Sequence, residues 1–308
     1  MLTAFITHPD CALHAMGPHH PECPERLSAI RDRLLALGLL DCMLQCDAPR
    51  ATPGQLGRAH SMEHVRAVVA ASRKEGLHSI DPDTSMNPHT IDAALRAAGA
   101  VVLATDMVQA GEAASAFCCV RPPGHHAERA AAMGFCFFNN VAVGIRHALE
   151  VHGLERVALI DFDVHHGNGS VDIFRDDERV LMCSIFEKGI YPFTGEDDSG
   201  PCMVNVGLPS RSGSAAFRDA VTQHWMPALD SFAPQMVFVS AGFDGHRDDD
   251  MGNLGLVESD YAWVTRQVMD IAHRHARGRV VSCLEGGYAL EPLARSVAAH
   301  VRMLMSGD

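Results

Sequence analysis

Short apolar runs that break into polar, glycine-bearing turns and then give way to helical patterns recur along this chain of 308 residues. Ala116 to Val120 breaks into Arg121-Pro-Pro-Gly-His-His126, and Val157 to Ile160 into Asp161-Phe-Asp-Val-His-His-Gly-Asn-Gly169. Met236 to Ser240 leads to Ala241-Gly-Phe-Asp244, and Arg279 to Leu284 to Glu285-Gly-Gly-Tyr288. Such runs are too short for buried helices and suit strands covered on both faces. Met1 to Thr7 and Val180 to Ile185 read as further strands. Between them the spacing predicts helices from Pro24 to Gly38, Ser61 to Arg73, Thr90 to Gln109, Asn140 to Val151, Ala215 to Leu229, Ser259 to Arg277 and Leu290 to Met305. Residues 77–89, broken twice by proline, read as a loop. Strands alternating with helices mean right-handed βαβ units, hence an α/β fold with a mostly parallel sheet sandwiched by helices.

A hydrophobic share of 47% supplies the core, and no linker, low-complexity segment or short repeat interrupts it, so residues 1–308 read as a single domain. Lys and Arg number 25 against 38 Asp and Glu, a formal charge of −13 with no basic tract. That argues against nucleic acid as a partner and suits cationic or neutral small molecules. Ten cysteines form no Cys-x-x-Cys pair, and several lie inside apolar runs, as small buried hydrophobes of a reducing compartment do. The start of the chain has no charged leader followed by a long apolar core, and no stretch is long enough to span a membrane. A cytoplasmic enzyme without membrane contact is expected.

In an open α/β sheet, ligands bind along the edge formed by the C-terminal ends of the strands. One polar burst there reads as a solvated turn, but four on the same edge read as a site. If strand alternation continues through the burst at 161–168, Asp163 and His165 point to one side, with Asp161 at the same parity behind them. A carboxylate and an imidazole are two of the three protein ligands of an open catalytic zinc site, and Asp244 supplies the third. This donor set suits zinc and admits iron(II), and an ion there acidifies water towards neutrality. His125 and His126, presented by Pro122-Pro123-Gly124, form a tandem imidazole pair. One is expected to carry a proton between water and a leaving amine, the other to stay charged, with Asp161 and Asn168 fixing the rings. The Tyr288 hydroxyl, flanked by glycines, is a candidate donor to an oxyanion. Phe135, directly after the histidine pair, is a candidate wall of an apolar tunnel, whereas His19-His20 reads as an ordinary loop pair.

Arg121-Pro-Pro-Gly-His-His126, Gly134-Phe-Cys-Phe-Phe-Asn-Asn140, Asp161 to Asn168, Ser240 to Asp244, Glu285 to Tyr288 and His20-Pro-Glu-Cys-Pro-Glu-Arg-Leu27 together resemble the zinc-dependent histone deacetylase family. The variants resemble its class II and bacterial branch, which includes acetylpolyamine amidohydrolases. The resemblance covers almost the whole chain in order. It implies the arginase–deacetylase fold, a three-layer α/β/α sandwich around about eight strands. It implies zinc on Asp163, His165 and Asp244, with His126 as general base and acid. His125 would be the electrostatic partner held by Asp161, and Tyr288 the carbonyl polariser. Phe135 and Tyr191 would wall an acyl-lysine tunnel, and a structural potassium ion would lie at Asp161, Asp163, His165 and Ser184. Asp81 or Asp83 would hold the substrate backbone. Asn168 stands where many relatives carry Asp, and orients His126 without raising its basicity as a carboxylate would. Met251 stands near the place where polyamine-selecting members carry a glutamate, although Asp250 beside it and the acidic charge keep a polyamine open.

A two-metal ureohydrolase of the same fold needs further carboxylates two residues after each ligand. Gly167 and His246 occupy those places, which rejects it. A non-catalytic acyl-amine sensor is disfavoured because His126 and Tyr288 are both present. The expectation is therefore a zinc-dependent amidohydrolase removing acetyl or another short acyl group from an acetyl-lysine-type amine, with a small acylated amine such as an acetylpolyamine as the alternative. An interface patch reads like core in sequence, so a homo-oligomer stays open.

Overall fold

The computed structural model describes residues 2–72, 75–198 and 200–306. In chain order the first elements are β1 (Ala4–Thr7), α1 (Glu25–Ala36), β2 (Leu44–Asp47), α2 (Pro53–Ala59) and α3 (Met62–Ala71). Then follow β3 (His78–Ser79), β4 (Ser85–Met86), α4 (Thr90–Ala110), β5 (Ser115–Cys118), α5 (Asn140–Glu150), β6 (Val157–Asp161) and α6 (Asn168–Phe174). Next come β7 (Val180–Glu187), β8 (Met203–Leu208), α7 (Ser214–Ala220), α8 (Met226–Phe232), β9 (Met236–Ala241), α9 (Glu258–His275), β10 (Val280–Leu284) and α10 (Leu290–Met305).

Eight strands form one sheet in the order β2-β1-β5-β10-β9-β6-β7-β8, and every pairing in it is parallel. The last two strands of the chain therefore insert between β5 and β6. Strand side chains alternate between two apolar layers. Val157 and Leu159 of β6 face the layer built on α2 to α6, while Ala158 and Ile160 face the layer built on α1 and α7 to α10. Both faces are covered, which is why the strands read as unbroken apolar runs. This is the expected three-layer sandwich.

Local signals explain many of the boundaries. Gly111, at φ 75°, closes α4 in the left-handed conformation that glycine adopts without strain. Thr52 and Gln55 form a reciprocal capping box on α2, and the Ser61 hydroxyl caps α3. Arg73, the expected end of α3, lies outside the described residues. The helix expected from Ala215 to Leu229 runs from Ser214 to Phe232, with a π-turn at Val221–Trp225 between α7 and α8. Pro227 follows this turn. Its missing N–H and bulky ring forbid an ordinary α-helical bond to Gln223, and a widened turn accommodates that.

Other elements depart from the sequence reading. The loop at 77–89 contains the hairpin β3–β4. The edge strands β2 and β8 carry polar and half-exposed residues, and neither was anticipated. Nor was α6, which opens with Asn168-Gly169 and is held by burial of Val171, Ile173 and Phe174 rather than by propensity. All ten cysteines are free, and six of them are buried. No described helix is long and apolar enough to cross a membrane.

Candidate active site

The C-terminal ends of β5, β10, β9 and β6 lie side by side at the centre of the sheet, so the segments leaving them share one edge. The alternation assumed for Asp163 and His165 does not operate, because β6 stops at Asp161. Two successive side-chain turns curl the chain over the edge instead. The Asp163 N–H donates to Asp161 Oδ1 at 3.1 Å, and the His165 N–H to Asp163 Oδ1 at 2.9 Å. The residues converge because aspartates take over the backbone donors that the ladder no longer uses.

Asp244 enters from β9, and its Oδ1 accepts the Val164 N–H at 2.9 Å. Its Oδ2 is buried, has no hydrogen-bond partner, and faces His165 Nδ1 at 3.2 Å. His165 Nδ1 also lies 3.0 Å from Asp163 Oδ1, and one ligand atom from each of the three residues lies within 4.8 Å of the others. Burial first, then Asp163, pushes the Asp244 carboxyl up to about 6. Burial also opposes ionisation of Asp163, yet the positive imidazoles of His125 and His165 hold its carboxyl below the usual range. Two buried carboxylates beside one imidazole, with an oxygen left unpartnered, are the donor chemistry of a divalent cation site. Close backbone approach builds the floor. A Cβ on Gly286 would lie 2.0 Å from Asp244 Oδ2 and 2.6 Å from Asp163 Oδ2, and one on Gly242 would lie 2.1 Å from Asp163 Oδ2.

The two histidines after β5 have opposite character. His125 Nδ1 lies 3.0 Å from Asp161 Oδ2. Burial disfavours its cation, but Asp163 and then Asp161 prevail and raise its pKa to about 10. His126, 4.0 Å away between ring centroids, is held well below the ordinary imidazole value by burial and by the charges of His125 and His165. Its Nδ1 lies 2.8 Å from Asn168 Oδ1. The segment carrying the pair is anchored by Glu285, whose Oε2 accepts the Gly124 N–H at 2.6 Å and the His125 N–H at 3.1 Å. Arg121, at its start, is locked onto the buried carboxylate of Glu22.

Tyr288 lies under the Arg26 guanidinium, 4.9 Å from its ring centroid, and Arg26 Nε donates to the Gly287 carbonyl at 2.6 Å. Its backbone N–H donates to Asp249 Oδ2 at 2.6 Å, while Asp249 Oδ1 accepts the Met251 N–H at 3.0 Å, so one carboxylate ties the Met251 loop to Tyr288. The Phe135 ring is 6.0 Å from that of Tyr288, and Tyr191 is 5.1 Å from His126. His20 packs edge-on against Phe135 at 4.7 Å, which brings one member of the supposed ordinary loop pair to the same wall. Asp81 and Asp83 share the β3–β4 turn. Asp81 Oδ1 accepts the N–H groups of Asp83 and Thr84, and the Thr84 hydroxyl accepts the Phe135 N–H at 3.0 Å. Ser184, on β7 opposite Asp161, has a buried hydroxyl without a partner.

A carboxylate has no room two residues after His165. A Cβ on Gly167 would lie 2.4 Å from Asp161 Oδ2, where His125 is held. A separate Asp106, His147 and His152 group on the helical layer is a hydrogen-bonded set in which both histidines donate to Asp106 Oδ1. Glu285, Arg26, Asp249 and Glu128 were assigned no role from sequence. Glu285 carried a signal as the first polar residue after β10, and Arg26 lies in the His20–Leu27 motif, whereas Asp249 and Glu128 reach the site through the fold.

The histone deacetylase domain profile matches residues 20–304. The chain is 35% identical to a probable deacetylase of Archaeoglobus fulgidus, over 94% of this chain and 82% of that protein. It is 36% identical to a histone deacetylase-like amidohydrolase of Pseudomonas aeruginosa, over 93% and 82%. A human polyamine deacetylase is 38% identical over the whole of this chain, which spans 48% of that protein. The crystal structure of the HDA15 HD domain superimposes with a TM-score of 0.93 at 32% identity, covering 99% of this chain and 88% of that one.

Proposed function

The chain belongs to the histone deacetylase family, and from that premise we propose that it is a zinc-dependent amidohydrolase removing acetyl or another short acyl group from an acetyl-lysine-type amine. The observation that carries this reading is the buried set Asp163, His165 and Asp244, with Asp244 Oδ2 left without a partner, beside one cationic and one neutral histidine. Zinc, or iron(II), held by those three residues would supply Lewis-acid chemistry, polarising an acyl carbonyl and making water more acidic. His126, neutral, takes a proton from water and returns it to the departing amine. His125, kept charged by Asp163 and Asp161 and held in place by Asp161, stabilises the negative charge that develops, and Asn168 fixes the His126 ring. The Tyr288 hydroxyl donates to the carbonyl oxygen as that charge forms. Tyr191, beside His126, and Phe135, beside Tyr288, flank the approach as tunnel walls, and Asp81, Asp83 and Met251 are the residues assigned to the rest of the substrate. The unpartnered Ser184 hydroxyl beside Asp161 supports a structural potassium ion there, with Asp163 and His165 completing it.

A second reading, an acylated polyamine as substrate, is favoured by the human relative's name and by the charge of −13. Acetate release by the zinc-loaded protein from an acetyl-lysine peptide and from an acetylated polyamine, at equal concentration, tests both. Faster turnover of the peptide is expected. Preference for the polyamine would replace the first reading by the second, and release from neither would refute acetyl removal.

A further inference from the structure

Asn168 is a neutral partner for a histidine whose tautomer must be controlled, and nothing intrinsic to an amide decides which end it presents. Its carbonyl and its NH2 group are close to the same size, so packing alone cannot distinguish them. Turned one way, Asn168 Oδ1 accepts a hydrogen bond from His126 Nδ1–H and leaves Nε2 with a free lone pair. Turned the other way, its NH2 group donates to Nδ1, and the ring proton must sit on Nε2. The structure has the first arrangement, with Oδ1 2.8 Å from Nδ1. On the far side of the amide, Asn168 Nδ2 donates to Glu128 Oε1 at 2.9 Å, and it also lies 3.3 Å from Met133 Sδ. An ionised carboxylate only accepts hydrogen bonds, and a thioether sulfur offers no donor. Both neighbours therefore demand the NH2 end.

Glu128 is itself fixed by the chain that presents the histidines. It lies two residues after His126, its N–H donates to the Ala131 carbonyl at 2.9 Å, and its own carbonyl faces His60 Nδ1 at 2.9 Å. We propose that Glu128 is a positioning residue for the reaction: it sets the orientation of the Asn168 amide and thereby holds His126 in the tautomer with its proton on Nδ1 and its lone pair on Nε2. This deepens the proposed amidohydrolase reading and rests on it for the use of His126 as a base.

The arrangement makes an unusual demand on substitutions. A carboxylate at position 168 is, taken alone, the stronger partner for a histidine. Here it would stand about 2.9 Å from the Glu128 carboxylate, where two like charges cannot both be kept. Asn168→Asp is therefore expected to lower kcat rather than raise it. Exchanging donor and acceptor in the Glu128→Gln, Asn168→Asp double variant lets the glutamine amide donate to the new carboxylate, and kcat should return to within about threefold of wild type. Glu128→Ala should lower kcat by roughly tenfold to a hundredfold, the scale for losing an outer partner of a catalytic group, with KM changed less than about threefold.

A long-range 15N–1H spectrum of the His126 imidazole in the zinc-loaded protein reads the tautomer without any substrate. Wild type and the double variant should show the proton on Nδ1, and Glu128→Ala a mixture with the Nε2 form. An unchanged His126 tautomer in Glu128→Ala would overturn the proposal, as would an Asn168→Asp protein faster than wild type or a double variant no faster than Asn168→Asp. If wild type hydrolyses no acyl-amine, the amidohydrolase reading fails, and the tautomer spectra alone decide whether Glu128 positions Asn168.

Discussion

Gly286→Ala adds one methyl group at the floor of the proposed metal site. The new Cβ would lie 2.0 Å from Asp244 Oδ2, 2.6 Å from Asp163 Oδ2 and 2.8 Å from Asp244 Cγ. Ordinary contact begins near 3.4 Å, so the nearest pair is short by 3.4 − 2.0, about 1.4 Å. Neither carboxylate can retreat freely. Asp244 Oδ1 is held by the Val164 N–H and Asp163 Oδ1 by the His165 N–H, while Asp163 Oδ2 accepts from Gly286 itself at 2.8 Å. The backbone at 285–288 or the two ligands must therefore shift by about 1 Å, against the roughly 0.2 Å that metal coordination tolerates. A displacement of that size costs about a hundredfold in rate, and overpacking of this kind costs about 1–3 kcal/mol of stability. Zinc content after dialysis against a buffered chelator, acetate release and urea unfolding measure the three consequences separately. Gly213→Ala is the control, since the nearest atom to its Cβ would be the Gly255 carbonyl oxygen at 3.9 Å. A folded Gly286→Ala protein with full zinc occupancy and a rate within twofold of wild type would refute the ligand geometry.

Asp163→Ala should abolish stable zinc binding, and full occupancy in that variant would remove Asp163 from the ligand set. Tyr288→Phe should keep its zinc while turnover falls by roughly tenfold to a thousandfold, the scale of losing one oxyanion donor, so wild-type turnover would end that role. His300 is buried between the hydroxyls of Ser282 and Thr265, and burial lowers its pKa from 6.5 to about 3. The folded state refuses a proton that the unfolded chain accepts below 6.5, so its contribution to stability is lost as pH falls from 6.5 towards 3. At pH 5 that loss is about 2 kcal/mol. The stability lost between pH 7 and pH 5, from urea unfolding, should be smaller by about that amount in His300→Gln, and an unchanged loss would contradict the assignment.

What could be read without coordinates was what local signals carry. The apolar runs at 157–160, 236–240 and 279–284 are strands because both faces of a parallel sheet are covered, so period and length suffice to find them. Helix α10 was bounded correctly at Leu290 and Met305. The polar bursts after these strands held the metal-capable residues, because strand ends on one sheet edge bring together whatever follows them. Edge strands β2 and β8 and the short helix α6 escaped notice, since their stability comes from neighbours distant in sequence.

The amino-acid sequence by itself therefore determined the layered α/β plan and marked the polar bursts from which the candidate site is drawn, because burial periodicity and donor chemistry are written locally. Only the tertiary structure decided how those residues meet. Strand parity does not bring Asp163 to His165; side-chain turns beyond β6 do. The insertion of β9 and β10 between β5 and β6 brings Asp244 and Tyr288 to the histidine pair. The hand that Glu128 lays on Asn168 is equally invisible in sequence. A hydrogen bond between residues 40 positions apart depends on where the backbone has already been carried by the packing of everything else.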